Sequence, residues 1–233
     1  MRRWPNTASS DRTTLANIRG ALFDMDGLLL DTERIAREAF VSVTAPHGLA
    51  RPDAQEAFAY FVGGNSDTAG PRLRRLLPHV PSEELEREWV VAFEGLIAEG
   101  VPAKPTVLET ITALSEAGLP MVVVTSSSRA HAEHNLRSSG MLGFFMGIVP
   151  GDEVGERKPN PEPYLTGARL LGLPAQACAA FEDSDTGITS AMAAGCVSTQ
   201  IPDLRPTDQP LPQLGQFMAQ SLGEAVRARG LLT

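Results

Sequence analysis

Four short stretches of this 233-residue chain carry residue types whose spacing could do chemistry. In the first, Gly20-Ala21-Leu22-Phe23 runs straight into Asp24-Met25-Asp26-Gly27, with Asp31-Thr32-Glu33 close behind. In the second, Ala177 to Phe181 runs into Glu182-Asp183-Ser184-Asp185-Thr186-Gly187. Carboxylates crowded at the end of a buried strand repel one another unless a cation or a shared proton offsets their charge. Open α/β sheets place their ligands at that end of their strands. Gly27, just beyond the first pair, permits the sharp turn that would aim it, and a glycine also follows the second pair within four residues. Two acidic strand ends in one parallel sheet can converge on Mg²⁺, a hard cation that prefers oxygen ligands. Either run alone reads equally well as a solvated acidic loop.

The third stretch is Val124-Thr125-Ser126-Ser127-Ser128. Hydroxyls and free backbone N–H groups at a strand-to-helix junction suit a phosphate oxygen, and they equally suit a plain helix cap. The fourth is Lys158-Pro159-Asn160-Pro161, a lysine in a stiff proline frame. It is either a fixed positive charge or an ordinary surface lysine.

Elements able to position these residues are visible in the pattern. Leu119 to Thr125 is a nearly continuous β-branched run, the mark of a strand buried on both faces. Phe144–Val149 and Ala177–Phe181 are similar, and Cys196–Ile201 is a more polar version. Helical patterns lie between them. Thr106 with Glu109 reads as a capping box for a helix ending near Ala117, Asn160 with Pro161 as the opening of a helix to Leu171, and Ser221 with Glu224 as the cap of a last helix. Alternating strands and helices imply an α/β fold with a doubly wound parallel sheet. Residues 33–100 differ: Glu33–Ala45, Pro52–Phe61, Ser66–Leu77 and Ser82–Glu99 read as helices with no strand between them. The expected organisation is a polar N-terminal extension over 1–18, an α/β core over 19–32 and 101–233, and an all-α cap over 33–100.

Composition narrows the classes. The net charge of −8 gives no general field for nucleic acid or anionic lipid. No apolar run approaches the ~20 residues of a membrane span, and the first residues lack the apolar core of a signal peptide. A cytoplasmic location is expected. Cys178 and Cys196 are too few for a disulfide framework and read as small buried hydrophobes.

Taken together and in order, DxDGxxxDTE (Asp24 to Glu33), Thr125-Ser126, Lys158 in KPxPEPY and EDSxxG (Glu182 to Gly187) resemble the haloacid dehalogenase-like hydrolases. The likeness is to the group that includes β-phosphoglucomutase, phosphoglycolate phosphatase and the sugar phosphatases, and it spans residues 20 to about 202. The resemblance implies a Rossmann-like core and a helical cap inserted between the first two motifs. It implies that Asp24 is a nucleophile forming an aspartyl-phosphate, and that Asp26 is the general acid/base. Mg²⁺ would be held by the Asp24 carboxylate, the Asp26 backbone carbonyl and Asp183, with Glu182 in the outer shell. Thr125, the Ser126 N–H and Lys158 would hold the phosphoryl oxygens. The implied partner is a small phosphorylated metabolite, the protein being a monomer or homodimer. Thr32 and the stretch 100–105 would act as hinges.

Some positions depart from the family pattern. Where β-phosphoglucomutases carry a cap histidine and a cap arginine, this chain has Ala36 and Ser66. That favours simple hydrolysis over the alternative, a phosphosugar isomerase. Lys104-Pro105-Thr106 lacks the glycine usual after that proline, and Asp185 is an additional acid. Gly63-Gly64 reads first as a turn, with a cap contact to substrate implied only by the family. His131 and His134 flank Glu133 but lack a third ligand, and their helix carries Arg129 and Arg137, so a solvated face is expected. Trp89 and Phe93 read as cap packing.

Overall fold

The computed structural model describes residues 17–62, 66–98, 100–206 and 208–233. The sequence order is β1 (Gly20–Phe23), helices α1 (Thr32–Thr44), α2 (Arg51–Phe58), α3 (Ser66–Leu76) and α4 (Ser82–Ile97), then α5 (Val107–Glu116), β2 (Met121–Val124), α6 (Arg129–Ser138), β3 (Gly147–Val149), α7 (Glu162–Leu170), β4 (Cys178–Glu182), α8 (Asp185–Ala193), β5 (Val197–Gln200), β6 (Phe217–Met218) and α9 (Leu222–Ala228). The six strands form one sheet in the order β3-β2-β1-β4-β5-β6. Every pairing in it is parallel. The order reverses beside β1, which makes β1 and its neighbours β2 and β4 the place where a ligand site is expected.

The chain divides into two compact units. One takes in the described residues up to Leu30, Pro102–Asp203 and Leu211–Thr233, and contains the sheet. The other comprises Asp31–Val101 and Leu204–Pro210. The first is held by apolar strands: β1, β2 and β4 are buried along their whole length. Leu22, Val122, Val124, Tyr164, Ala168, Cys178 and Ala180 pack into one cluster between sheet and helices. Phe23 stacks on Phe181 at 5.1 Å between ring centroids. Burying each large side chain of this kind stabilises by about 1.5–3 kcal/mol.

The second unit is built on aromatic packing. Phe40, Phe58 and Phe61 surround Trp89, whose ring centroid lies 5.0, 5.9 and 5.5 Å from theirs respectively. Its indole N–H donates to the Ala36 carbonyl at 3.0 Å. Trp89 is thus a packing residue with its one polar atom satisfied. Leu204 joins the same cluster from far along the sequence. Gly63, Gly64 and Asn65, and the side chain of Ser66, lie outside the described residues.

Several element ends differ from the sequence reading, for local reasons. Thr106 makes no side-chain cap to α5; it sits at φ 67, and its carbonyl instead accepts Thr110 N–H and Thr110 Oγ1. The capping box expected there is absent. Asn160 does cap α7, its Oδ1 accepting Glu162 N–H at 3.0 Å, but the helix starts only at Glu162. Ser221 Oγ accepts Glu224 N–H and caps α9 as expected. Leu142–Phe144 forms a 3₁₀ turn, so β3 begins only at Gly147. Among the described residues, no helix is long and apolar enough to cross a membrane.

Candidate active site

Parallel pairing aligns the carboxyl ends of β1, β2 and β4, and each strand carries polar side chains where it ends. The Asp24 N–H extends the β1–β4 ladder to the Phe181 carbonyl at 3.0 Å, which sets Asp24 beside Glu182 and Asp183. One carboxylate oxygen from each of these three residues lies within 4.8 Å of the others. All three residues are buried, Glu182 completely.

Lys158 enters this cluster from the loop before α7, its peptide bond to Pro159 being cis. Its ammonium donates to Asp24 Oδ1 at 2.6 Å, to Glu182 Oε1 at 2.6 Å and to the Val124 carbonyl at 2.9 Å. The side chain is only 4 % exposed, so these bonds form away from bulk water. The bland reading of Lys158 as a surface lysine is therefore wrong. Burial pushes the Asp24 carboxyl well above its ordinary range, with Lys158 opposing and the Glu182 and Asp26 charges reinforcing. Burial by itself depresses Lys158, but the charges of Asp24 and Glu182 outweigh it and hold the ammonium above its ordinary value, firmly protonated.

Asp26 follows two residues after Asp24, where Gly27 turns the chain at φ 82. Its Oδ2 accepts Ser127 Oγ at 2.8 Å and Thr125 Oγ1 at 3.2 Å. The serine run thus divides its work. Thr125 and Ser127 reach across to Asp26, the exposed Ser126 does not, and Ser128 accepts His131 N–H as the N-cap of α6. The loop after β3 presses on this turn through Gly151, where a Cβ would lie 2.3 Å from the Ser126 carbonyl oxygen. Asp185 turns away to the sheet, its Oδ1 accepting Gln200 Nε2 at 2.9 Å.

The donors suit a hard divalent cation: Asp24, Glu182 and Asp183 supply oxygen only. Asp24 and Glu182 share one ammonium, and Asp183 lies within 4.8 Å of both, a crowding of carboxylates that a cation would offset. Two contributors were missed in the sequence. Ser127 was one hydroxyl in a row of three. Tyr164 closes the KPxPEPY run, in which only Lys158 was given a role, yet its hydroxyl donates to Glu182 Oε1 at 2.5 Å. Burial first, then the charges of Glu182 and Asp24, raises that phenol well above its ordinary range, so it remains a donor. Glu133, between the two histidines, pairs with Arg129 and Arg137, and His134 is exposed.

Residues 18–195 match the family model for a hydrolase, the haloacid dehalogenase-like hydrolase. The chain belongs to the haloacid dehalogenase-like hydrolases. It is 33 % identical to hexitol phosphatase A of Escherichia coli over 182 residues, 76 % of this chain and 80 % of that one. It is 32 % identical to the fructose-1-phosphate phosphatase YqaB of the same organism, covering 76 % of this chain and 92 % of that one. In three dimensions it is similar to a HAD family hydrolase from Deinococcus radiodurans R1 with bound phosphate and sodium, at TM-score 0.80 and 30 % identity over 94 % of this chain and 99 % of that one. These relatives place it among the phosphomonoester hydrolases of the family, with the helical insertion between β1 and β2.

Proposed function

We propose that the protein is a Mg²⁺-dependent phosphatase of a small phosphorylated metabolite, a sugar phosphate or a similar compound, working through an aspartyl-phosphate at Asp24. The observation that carries this reading is the convergence of Asp24, Glu182 and Asp183 on one point with Lys158 locked among them. The phosphatases of hexitol phosphates and fructose 1-phosphate among its relatives support the substrate class.

Asp24, Asp183 and the Asp26 backbone carbonyl would hold the metal, with Glu182 beside them. When bound, Mg²⁺ supplies charge neutralisation, letting a phosphate dianion approach a cluster of carboxylates. Lys158 grips Asp24 Oδ1, which leaves Oδ2 to attack phosphorus. The Oδ2–P bond forms as the bond from phosphorus to the leaving oxygen breaks, and Asp26 gives that oxygen its proton. Asp26 then takes a proton from a water that attacks the same phosphorus, releasing phosphate and restoring Asp24. Thr125 and the Ser126 N–H would steady the phosphoryl oxygens, and Lys158, whose three donors go to Asp24, Glu182 and the Val124 carbonyl, would act on them as a fixed positive charge. For that, Thr125 must share its hydroxyl between Asp26 and the substrate. The family resemblance implies a cap that excludes water and reads the rest of the substrate. Ala36 and Ser66 replace the residues a mutase uses to grip a second phosphate, which favours hydrolysis over isomerisation.

A panel of sugar phosphates, nucleotides and phosphoglycolate, read as inorganic phosphate released, tests the reading. Release from one or more sugar phosphates, dependent on Mg²⁺, is the expected result. Conversion of glucose 1-phosphate to glucose 6-phosphate without free phosphate would overturn it.

A further inference from the structure

Tyr164 takes no step in the mechanism above, yet it is fully buried and both its hydroxyl and its ring are engaged. The hydroxyl donates to Glu182 Oε1 at 2.5 Å, the same oxygen that accepts Lys158 at 2.6 Å. The ring lies against the ammonium, with Lys158 Nζ 5.2 Å from its centroid. An ammonium has three N–H donors, and Lys158 spends them on Asp24, Glu182 and the Val124 carbonyl. Two carboxylates therefore compete for one cation at equal distance. Whatever satisfies one of them leaves more of the ammonium to the other.

Glu182 is enclosed on its remaining sides. Ser184 Oγ reaches Oε2 at 3.3 Å, and a Cβ on Gly187 would lie 2.1 Å from the carboxyl group. Glycine at 187 is what makes room for the carboxylate, and the phenol is what holds it there. We propose that Tyr164 is a positioning residue: its hydroxyl fixes Glu182 and so keeps Lys158 shared with Asp24, which fixes the oxygen that Asp24 presents to phosphorus. This rests on the reading of Asp24 as the nucleophile. Without the phenol proton, Glu182 Oε1 draws the ammonium toward itself, and Asp24 loses the partner that orients it. The loss falls mainly on the chemical step, because the contact it weakens is the one to the nucleophile.

Tyr164→Phe removes only the hydroxyl and keeps the ring beside the ammonium. The first readout is the ¹H–¹⁵N resonance of the Lys158 ammonium in metal-free protein, slowed in exchange by burial and three acceptors. It is expected to shift in the variant. The second is kinetic: kcat is expected to fall about tenfold or more with KM within about twofold, as for an interaction that matters in the transition state. In a Glu182→Gln background the same substitution should cost no further kcat, because Tyr164 acts through that carboxylate. Gly187→Ala presses on Glu182 from the other side and is expected to move the same resonance and lower kcat, which decides the matter if Tyr164→Phe does not fold. An unmoved resonance overturns the proposal, and so does a kcat that stays at the wild-type value while only the melting temperature falls. A wild-type protein with no phosphatase activity would overturn the proposed function instead, and the resonance would still report on Tyr164.

Discussion

At the scale of single residues, chemistry and burial are set against each other. Asp24 is buried with its carboxyl pushed up, an unfavourable place for a charge, and Lys158 is the group that makes it tolerable. Asp24→Asn keeps the shape and removes the nucleophile. Its circular dichroism should match wild type while phosphate release falls below about one per cent; each tenfold is about 1.4 kcal/mol of barrier. Residual turnover above that level would place the nucleophile elsewhere. These residues were legible in the sequence because acids, a lysine and hydroxyls at strand ends are unusual one by one and rarer together. The roles of Ser127 and of Tyr164, the last residue of the KPxPEPY run, were not legible. Their roles come from contacts across 101 and 18 residues of sequence, which no local spacing encodes.

At the scale of elements, β1, β2 and β4 could be read directly because strands buried on both faces are continuous apolar runs. β6 could not, having two residues, Phe217 and Met218, in a stretch with no apolar run, paired with β5 and with the Arg229 guanidinium over the Phe217 ring. The start of α5 is where a local rule failed. Thr106 holds a left-handed backbone at φ 67, which a β-branched residue adopts at a cost. The resemblance noted in the sequence implies a glycine here. Thr106→Gly should raise stability by about 1 kcal/mol, a melting shift of ~2–4 °C in calorimetry; an unchanged or lower melting temperature would show that the Thr106 side chain contributes more than the strain costs. The thiols at the start of β4 and just before β5 give a pH dependence. Burial pushes Cys178 up to about 11 and Cys196 up to about 12. In the unfolded chain both ionise near ~8.5. Below that pH neither state loses the protons and stability is unaffected. Above it the unfolded chain releases them while the native chain keeps them, so stability falls by about 1.4 kcal/mol per pH unit for each thiol until the folded values are reached. Denaturant titrations from pH 8 to 10.5 should show a shallower decline in Cys196→Ala than in wild type. Equal slopes would mean that the native thiol ionises as freely as the unfolded one.

At the scale of the whole molecule, the sheet unit gathers negative charge at one end of a chain that is already acidic, so stability and metal binding should be linked. A ligand that binds only the native state stabilises it by about 2.7 kcal/mol at a hundred times its dissociation constant. The melting temperature should therefore rise with Mg²⁺ and fall with a chelator, and Asp183→Asn should flatten both responses. A melting temperature indifferent to Mg²⁺ in wild type would count against the carboxylate cluster as a metal site. The central claim is that the phosphoryl group passes through Asp24, and intact-protein mass spectrometry tests it most directly. Asp26→Asn, acid-quenched shortly after mixing with p-nitrophenyl phosphate and Mg²⁺, should accumulate one phosphoryl group, because that leaving group departs without a proton and the second step lacks its base. Borohydride reduction and peptide mapping should locate the adduct at Asp24. Release of nitrophenol with no adduct, or an adduct on any other residue, would contradict the account.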